Sequence, residues 1–188
     1  MNKLLAVCLL PVVTGCFSLT ATNPTVADWP LRAGTLARQE SVPKFGVTRL
    51  SQVTVRAPYD ARQMGVFRAD NTLASDSCNR FAALPSQLLK GVAQDVLASS
   101  GLFKAVVAAS SAASTSHAVE LTVTDWRLDC SGGAREAAVC LDLLVLDRGR
   151  EIVATVSGGG RADAADGDYG TAFSTAFALA LEKALGGL

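Results

Sequence analysis

The side chains able to do chemistry are few, and their spacing says what they cannot be. The chain holds a single histidine, His117, at the edge of an Ala/Ser-rich stretch, where it reads as an ordinary exposed imidazole. A structural zinc site needs four Cys/His ligands at short, paired spacings. Cys78, Cys130 and Cys140 offer no such pattern, so no metal site is expected. No serine sits in a G-x-S-x-G turn, the strand-to-helix elbow that exposes a hydrolase nucleophile. Gly158-Gly159-Gly160 lacks the Lys and Ser/Thr that complete a phosphate-binding loop, and it reads as a kink at a strand end. Asp163, Asp166 and Asp168 gather around Gly167, but a calcium loop needs ligands at alternate positions and a distant Glu. They read as a solvated loop capping the last helix. No catalytic residue emerges, no cofactor is expected, and the chain is read as a non-enzyme.

Two kinds of cysteine chemistry remain. Met1-Asn2-Lys3 is a short basic start, Leu4 to Val13 is an apolar run broken by Pro11, and Val13-Thr14-Gly15-Cys16 follows. A basic start, a short apolar core and small residues before a cut site make a secretory signal. The run is well short of the ~20 apolar residues of a membrane span. Small residues ending in a cysteine match a bacterial lipobox, in which the Cys16 thiol carries a diacylglycerol and Cys16 starts the mature chain. Cys8 competes poorly, because bulky Val7 precedes it. Several acyl chains hold a protein on a bilayer far better than one. Phe17 follows, rather than the Asp that favours inner-membrane retention, so the expected place is the periplasmic face of the outer membrane. That compartment permits disulfides. Cys130 and Cys140 lie on either side of a hairpin loop and are candidates to bond across it. Cys78 with either of them, or three reduced thiols, are the alternatives. Without a C-x-x-C, any such bond is structural.

These sites need a frame. The chain has 188 residues and a formal net charge of zero, which gives no basic footprint for nucleic acid. Residues 1–15 read as signal peptide, 16–28 as the lipidated N-terminus and a Thr/Ser/Asn/Pro-rich tether, and 29–188 as one domain of ordinary size. An edge strand is expected from Trp29 to Ala37. Val53 and Val55 alternate with Thr54 and Arg56, giving a half-buried strand over Val47–Ala57 that Pro58-Tyr59-Asp60 ends. A strand over Gln63–Arg68 and a polar turn with a short strand over Asn71–Ser77 follow. Leu84, Leu88, Val92 and Val96 make the stripe of a first helix ending at Ser99, with Pro85 in its first turn and Gly101 just beyond. Phe103–Val107 reads as a strand and Ala108–Ser116 as a loop.

Val119, Leu121 and Val123 share one parity. Trp126, Leu128 and Cys130 share the other, which predicts a β-bulge near Asp125. Ser131–Glu136 is the hairpin loop, Ala137–Leu146 a covered strand, and Ile152, Ala154 and Val156 the next strand. Asp168 caps a second helix running to Leu185, striped by Tyr169, Phe173, Phe177 and Leu181. The fold class is α+β: a single domain with a mostly antiparallel sheet and two main helices packed on it.

Three stretches resemble the auxiliary lipoproteins of ABC transporters, the Pqi-type subunits that work beside MCE-domain proteins. The first is Val53-Thr54-Val55-Arg56-Ala57-Pro58-Tyr59-Asp60-Ala61-Arg62-Gln63-Met64-Gly65-Val66-Phe67-Arg68, a strand, a turn ending in Arg, and a strand closing on an aromatic residue and Arg. The second is Phe81-Ala82-Ala83-Leu84-Pro85, where the family usually has Trp in place of Phe81. The third is Ser100-Gly101-Leu102-Phe103-Lys104-Ala105-Val106. The resemblance implies an α+β domain and a non-catalytic, lipid-anchored subunit acting in lipid trafficking and outer-membrane integrity. It implies docking onto an MCE-domain periplasmic protein, a homo-oligomeric ring, and ATP hydrolysis left to a separate subunit. Arg62, Phe67 and Arg68 are the partner-binding candidates. The alternative is an envelope-assembly lipoprotein of another machine, serving secretion or lipopolysaccharide export.

Overall fold

The parity switch around Asp125 marks the spine of the molecule. In the computed structural model, which describes residues 25–32 and 42–188, the strand carrying it runs His117–Asp129. It pairs antiparallel with Glu136–Asp147, and the register slips between Val123 and Asp125. The bulge lets Val119, Leu121 and Val123, then Trp126 and Leu128, all reach one core face.

In chain order the elements are β1 Ala27–Trp29, β2 Phe45–Val55, β3 Gln63–Phe67, β4 Leu73–Phe81, α1 Pro85–Ser99, β5 Phe103–Ala108, β6 His117–Asp129, β7 Glu136–Asp147, β8 Ile152–Asp163 and α2 Tyr169–Leu185. One eight-stranded sheet results, and it forks at β6. Along its first half β6 lies parallel to β2, which is parallel to β5 on its far side. At its end β6 pairs with β3, which leads through β4 to β1. The other side of β6 carries the long antiparallel β6–β7–β8 meander throughout. The α+β reading holds. The longest ladders are antiparallel, and the parallel pairings, β1 with β4, β2 with β5 and β6, and β3 with β6, join strands that are remote in sequence.

A single core joins both helices to one sheet face. Helix α1 has no side-chain cap of its own at Leu84. Asp60, from the turn after β2, accepts the Ser86 amide at 3.0 Å and its hydroxyl at 2.9 Å. The carboxylate satisfies one of the orphan N–H groups of the first turn and suits the positive end of the helix dipole. Asp168 caps α2 as its position suggests, accepting the Thr171 amide at 3.1 Å and hydroxyl at 2.7 Å. The amide bond, then the hydroxyl, holds its carboxyl below the ordinary range.

Three expectations change. Gly158–Gly160 is not a strand-end kink, because β8 continues through it to Asp163. Gly158 and Gly160 face α2, and a Cβ on either would fall on a helix carbonyl, that of Ala180 or Ala176. Glycine is there for close approach of backbones, which pattern reading alone mistakes for a break. β4 is a full strand to Phe81, missed because Leu73-Ala74-Ser75-Asp76-Ser77-Cys78-Asn79-Arg80 carries so little apolar signal. β1 starts at Ala27, inside the expected tether, and ends at Trp29 before Pro30. The remainder of the expected Trp29–Ala37 strand, from residue 33, lies outside the described residues, as does the signal peptide.

Candidate functional site

The three partner-binding candidates sit on or beside β3, but they are not one cluster. Arg62 precedes β3 and is occupied. Its Nε donates to the Phe81 carbonyl at 3.2 Å and its Nη2 to Asp28 Oδ1 at 2.9 Å. Arg80 closes the same carboxylate with a two-point grip, Nε to Oδ1 at 2.7 Å and Nη2 to Oδ2 at 3.0 Å. Such bidentate pairing is the strong form of the contact. Asp28 thus ties the short strand β1 to β4, helped by Trp29 Nε1 donating to Asn79 Oδ1 at 3.0 Å and the Ala82 amide donating to the Trp29 carbonyl at 3.0 Å. Arg62 belongs to this clasp, which no local pattern could announce, since Asp28 is 34 positions away.

The clasp makes a pH prediction. The Arg80 hydrogen bonds are the main cause holding the Asp28 carboxyl below its ordinary 3.8; burial pushes the other way, and the Arg80 and Arg62 charges add to the lowering. A carboxyl depressed in the folded state stabilises fully above its unfolded value and loses that contribution as pH falls through the folded one. β1 is therefore expected to stay docked above pH 3.8 and to loosen progressively below it, while the core persists. Hydrogen exchange at the Ala82 amide checks this. Protection unchanged by acid down to global unfolding, or unchanged in Asp28→Asn at neutral pH, would rule the clasp out.

Phe67 and Arg68 lie at the other end of β3. Phe67 is half-buried on the sheet face opposite the helices, with Arg127 Cζ 4.5 Å from its ring centroid, within cation–π range. Arg127 pairs with Asp125 and, at 3.8 Å, with Asp129. Asp129 is nearly buried, and Ser131 donates to it from its hydroxyl at 2.6 Å and its amide at 3.1 Å. Arg161 bridges Asp129 at 3.2 Å and Glu136 at 2.9 Å. The Ser131 hydroxyl is the main cause holding the Asp129 carboxyl below its ordinary value, with the two arginines adding to it. Arg68 is exposed at the β3–β4 turn, where its amide donates to Thr72 O at 2.9 Å. The surface that results is an aromatic ring and a guanidinium with no ion-pair partner among the described residues, beside a linked row of charges. Arg127, Asp129 and Arg161 were missed by sequence reading. Their signal was present: Arg127 and Asp129 alternate with core residues Trp126 and Leu128, so they must face away from the helices.

The expected Cys130–Cys140 bond does not form. Among the described residues Cys78, Cys130 and Cys140 form no disulfide with one another. The last rung of the hairpin is Asp129–Glu136, and Cys140 sits opposite Asp125. Cys140 is therefore four rungs up its strand, roughly 13 Å at strand rise, against a Cα limit of about 7 Å for a disulfide. Symmetry about the loop residues does not carry the register, which the turn sets. Burial pushes the Cys130 thiol up, and Cys140 is exposed on the open sheet face. Cys16 lies outside the described residues. Asp163 and Asp166 accept the amides of Ala165 and Asp168 in their own turns. Among the described residues no group of three or more His, Cys, Asp or Glu could hold a metal ion.

No family model and no curated protein matches the chain. Solved structures do. The chain is similar to the Xanthomonas campestris protein XCC0632, described as DUF330, with 16% identity, a TM-score of 0.65, and coverage of 87% of this chain and 93% of that one. It is also similar to the crystal structure of an uncharacterized protein, with 14% identity, a TM-score of 0.50, and coverage of 70% and 81%. At these identities the likeness is one of fold: the forked sheet with its two helices is the fold of a DUF330 protein.

Proposed function

We propose that this chain is a non-catalytic, lipid-anchored auxiliary subunit of an MCE-type ABC transport system. It is held at the periplasmic face of the outer membrane through Cys16 and works in lipid trafficking and outer-membrane integrity. The observation that carries the reading is the fold. XCC0632 is a DUF330 protein, and the DUF330 fold is that of the Pqi-type lipoproteins which the stretch from Val53 to Arg68 resembles. That stretch is a strand, a turn and a strand here, β2 through β3. Among the described residues no helix is long and apolar enough to cross a membrane; in this reading a lipid on Cys16 supplies the attachment.

In this reading Phe67 and Arg68 contact the MCE-domain partner, and Arg62 supports them by holding β1 and β4 together. Copies of the chain join in a ring around that partner. Nucleotide hydrolysis belongs to a cytoplasmic subunit.

Crosslinking and pull-down from intact envelopes test it. The native chain is expected to recover an MCE-domain protein, and Cys16→Ala to recover less of it. Equal recovery would show docking that does not need the anchor. Recovery of a different envelope machine in its place would overturn the reading.

A further inference from the structure

At the end of the sheet away from the β1 clasp lies a second polar site. β2, the loop before β6, and the β7–β8 turn enclose a cleft of about 400 Å³. Arg49, His117, Arg148 and Arg150 line it, with Asp147 as its acidic member. The three arginines come from two separate segments. Arg49 reaches across from β2, its Nη2 donating to the Ala113 carbonyl at 2.8 Å, while its buried Nε has no hydrogen-bond partner among the described residues. Arg148 is exposed and makes no ion pair among the described residues. Arg150 rests on Glu120 at 3.1 Å with a side chain 73% exposed, so it is free to turn. It also holds φ at 68° while Gly149 stands beside it, which keeps an arginine where glycine would sit without strain. Asp147 is committed to the turn itself, accepting the Glu151 amide at 2.9 Å.

We infer that this cleft binds a phosphate group. Guanidinium forks arriving from different segments suit a tetrahedral anion, whose oxygens point in several directions. A planar carboxylate is satisfied by one fork. The larger groove beside α1, about 540 Å³, has Lys90 as its one cationic lining residue and no arginine, so it lacks this chemistry. The phosphate is either that of a phospholipid headgroup or free phosphate. The inference stands apart from the transport reading and survives its failure.

Titration calorimetry on the full chain in nonionic detergent and phosphate-free buffer tests it. The probes are inorganic phosphate and glycerophosphoglycerol, the water-soluble headgroup of phosphatidylglycerol. Saturable binding of at least one is expected, weakened about tenfold or more by Arg148→Gln, which removes a charge-assisted donor. Arg49→Lys, which keeps the charge and loses the fork, is expected to weaken it as well. Arg68→Gln, at an exposed turn on another part of the sheet, is expected to leave it unchanged. Arg148 is exposed in a turn, so its variant folds even where Arg49→Lys does not. Tighter binding of glycerophosphoglycerol identifies the lipid headgroup as the source, and tighter binding of phosphate identifies the free anion. No saturable binding of either probe at millimolar concentration would overturn the site. So would binding that Arg148→Gln weakens no more than Arg68→Gln does.

Discussion

Gly158→Ala is expected to lift α2 off the sheet and cost about 3 kcal/mol, at the upper end of overpacking penalties. The new Cβ would land on the Ala180 carbonyl oxygen, and it would stand 2.8 Å from the Ala184 amide nitrogen. Both are backbone atoms, so no rotamer change relieves the clash and the helix itself must move. Gly160→Ala meets the Ala176 carbonyl and the Ala180 nitrogen at 2.7 Å and is expected to behave alike. Gly159 supplies the control. It lies between them on the open face, where a Cβ meets Cys140 Sγ at an ordinary 3.5 Å. Gly159→Ala is expected to be neutral, or to stabilise by about 0.5 kcal/mol through lost chain freedom in the unfolded state. Denaturant unfolding of the three variants decides it. A Gly158→Ala midpoint equal to that of Gly159→Ala would show that α2 does not rest on β8 as described.

Phe173→Ala is expected to be comparably damaging, at about 3–5 kcal/mol, from lost burial plus the cavity left behind. Phe173 has no exposed surface. Its ring stands edge-on to Phe81 at 5.1 Å and tilted against Trp126 at 4.7 Å. It therefore joins α2, the end of β4 and the part of β6 beyond the bulge, and its loss loosens the arm of the fork that β4 belongs to. Phe177→Ala removes a ring of the same size that lies 6.5 Å from Trp126, and it tests whether the damage follows this junction or burial in general. A Phe173→Ala loss under about 1.5 kcal/mol, the scale of a conservative core swap, would contradict the central placement of the ring.

The features readable in the sequence are those that local periodicity dictates. The parity switch gave the bulge at Asp125, the four-residue stripes gave both helices, and Asp168 gave its own cap. What stayed hidden depends on partners far along the chain. Nothing near Arg62 names Asp28, nothing near Pro85 names Asp60 as the cap of α1, and nothing in β2 says that it lies parallel to β5 and β6. The triple glycine misled because a glycine that breaks a strand and one that admits a helix look alike in one dimension. The Cys130–Cys140 expectation failed for a related reason: the separation of two residues about a loop does not say where the first rung closes. The sequence set the three partner-binding candidates along one strand, but only the register showed Phe67 turned toward Arg127 and Arg62 turned away to the clasp.

The clasp and the core each hold one of the chain's two tryptophans. Trp29 lies in β1, edge-on to Tyr169 at 5.6 Å, and Trp126 is 1% exposed among Phe81, Phe173 and Phe177. The molecule consequently carries two built-in optical reporters that answer to different events. Acid release of β1 moves Trp29 into water and red-shifts its emission, while Trp126 keeps its blue component until the core itself opens. Ligands and partners that tighten one end of the sheet can thus be told apart by colour from those that tighten the whole, with no label added.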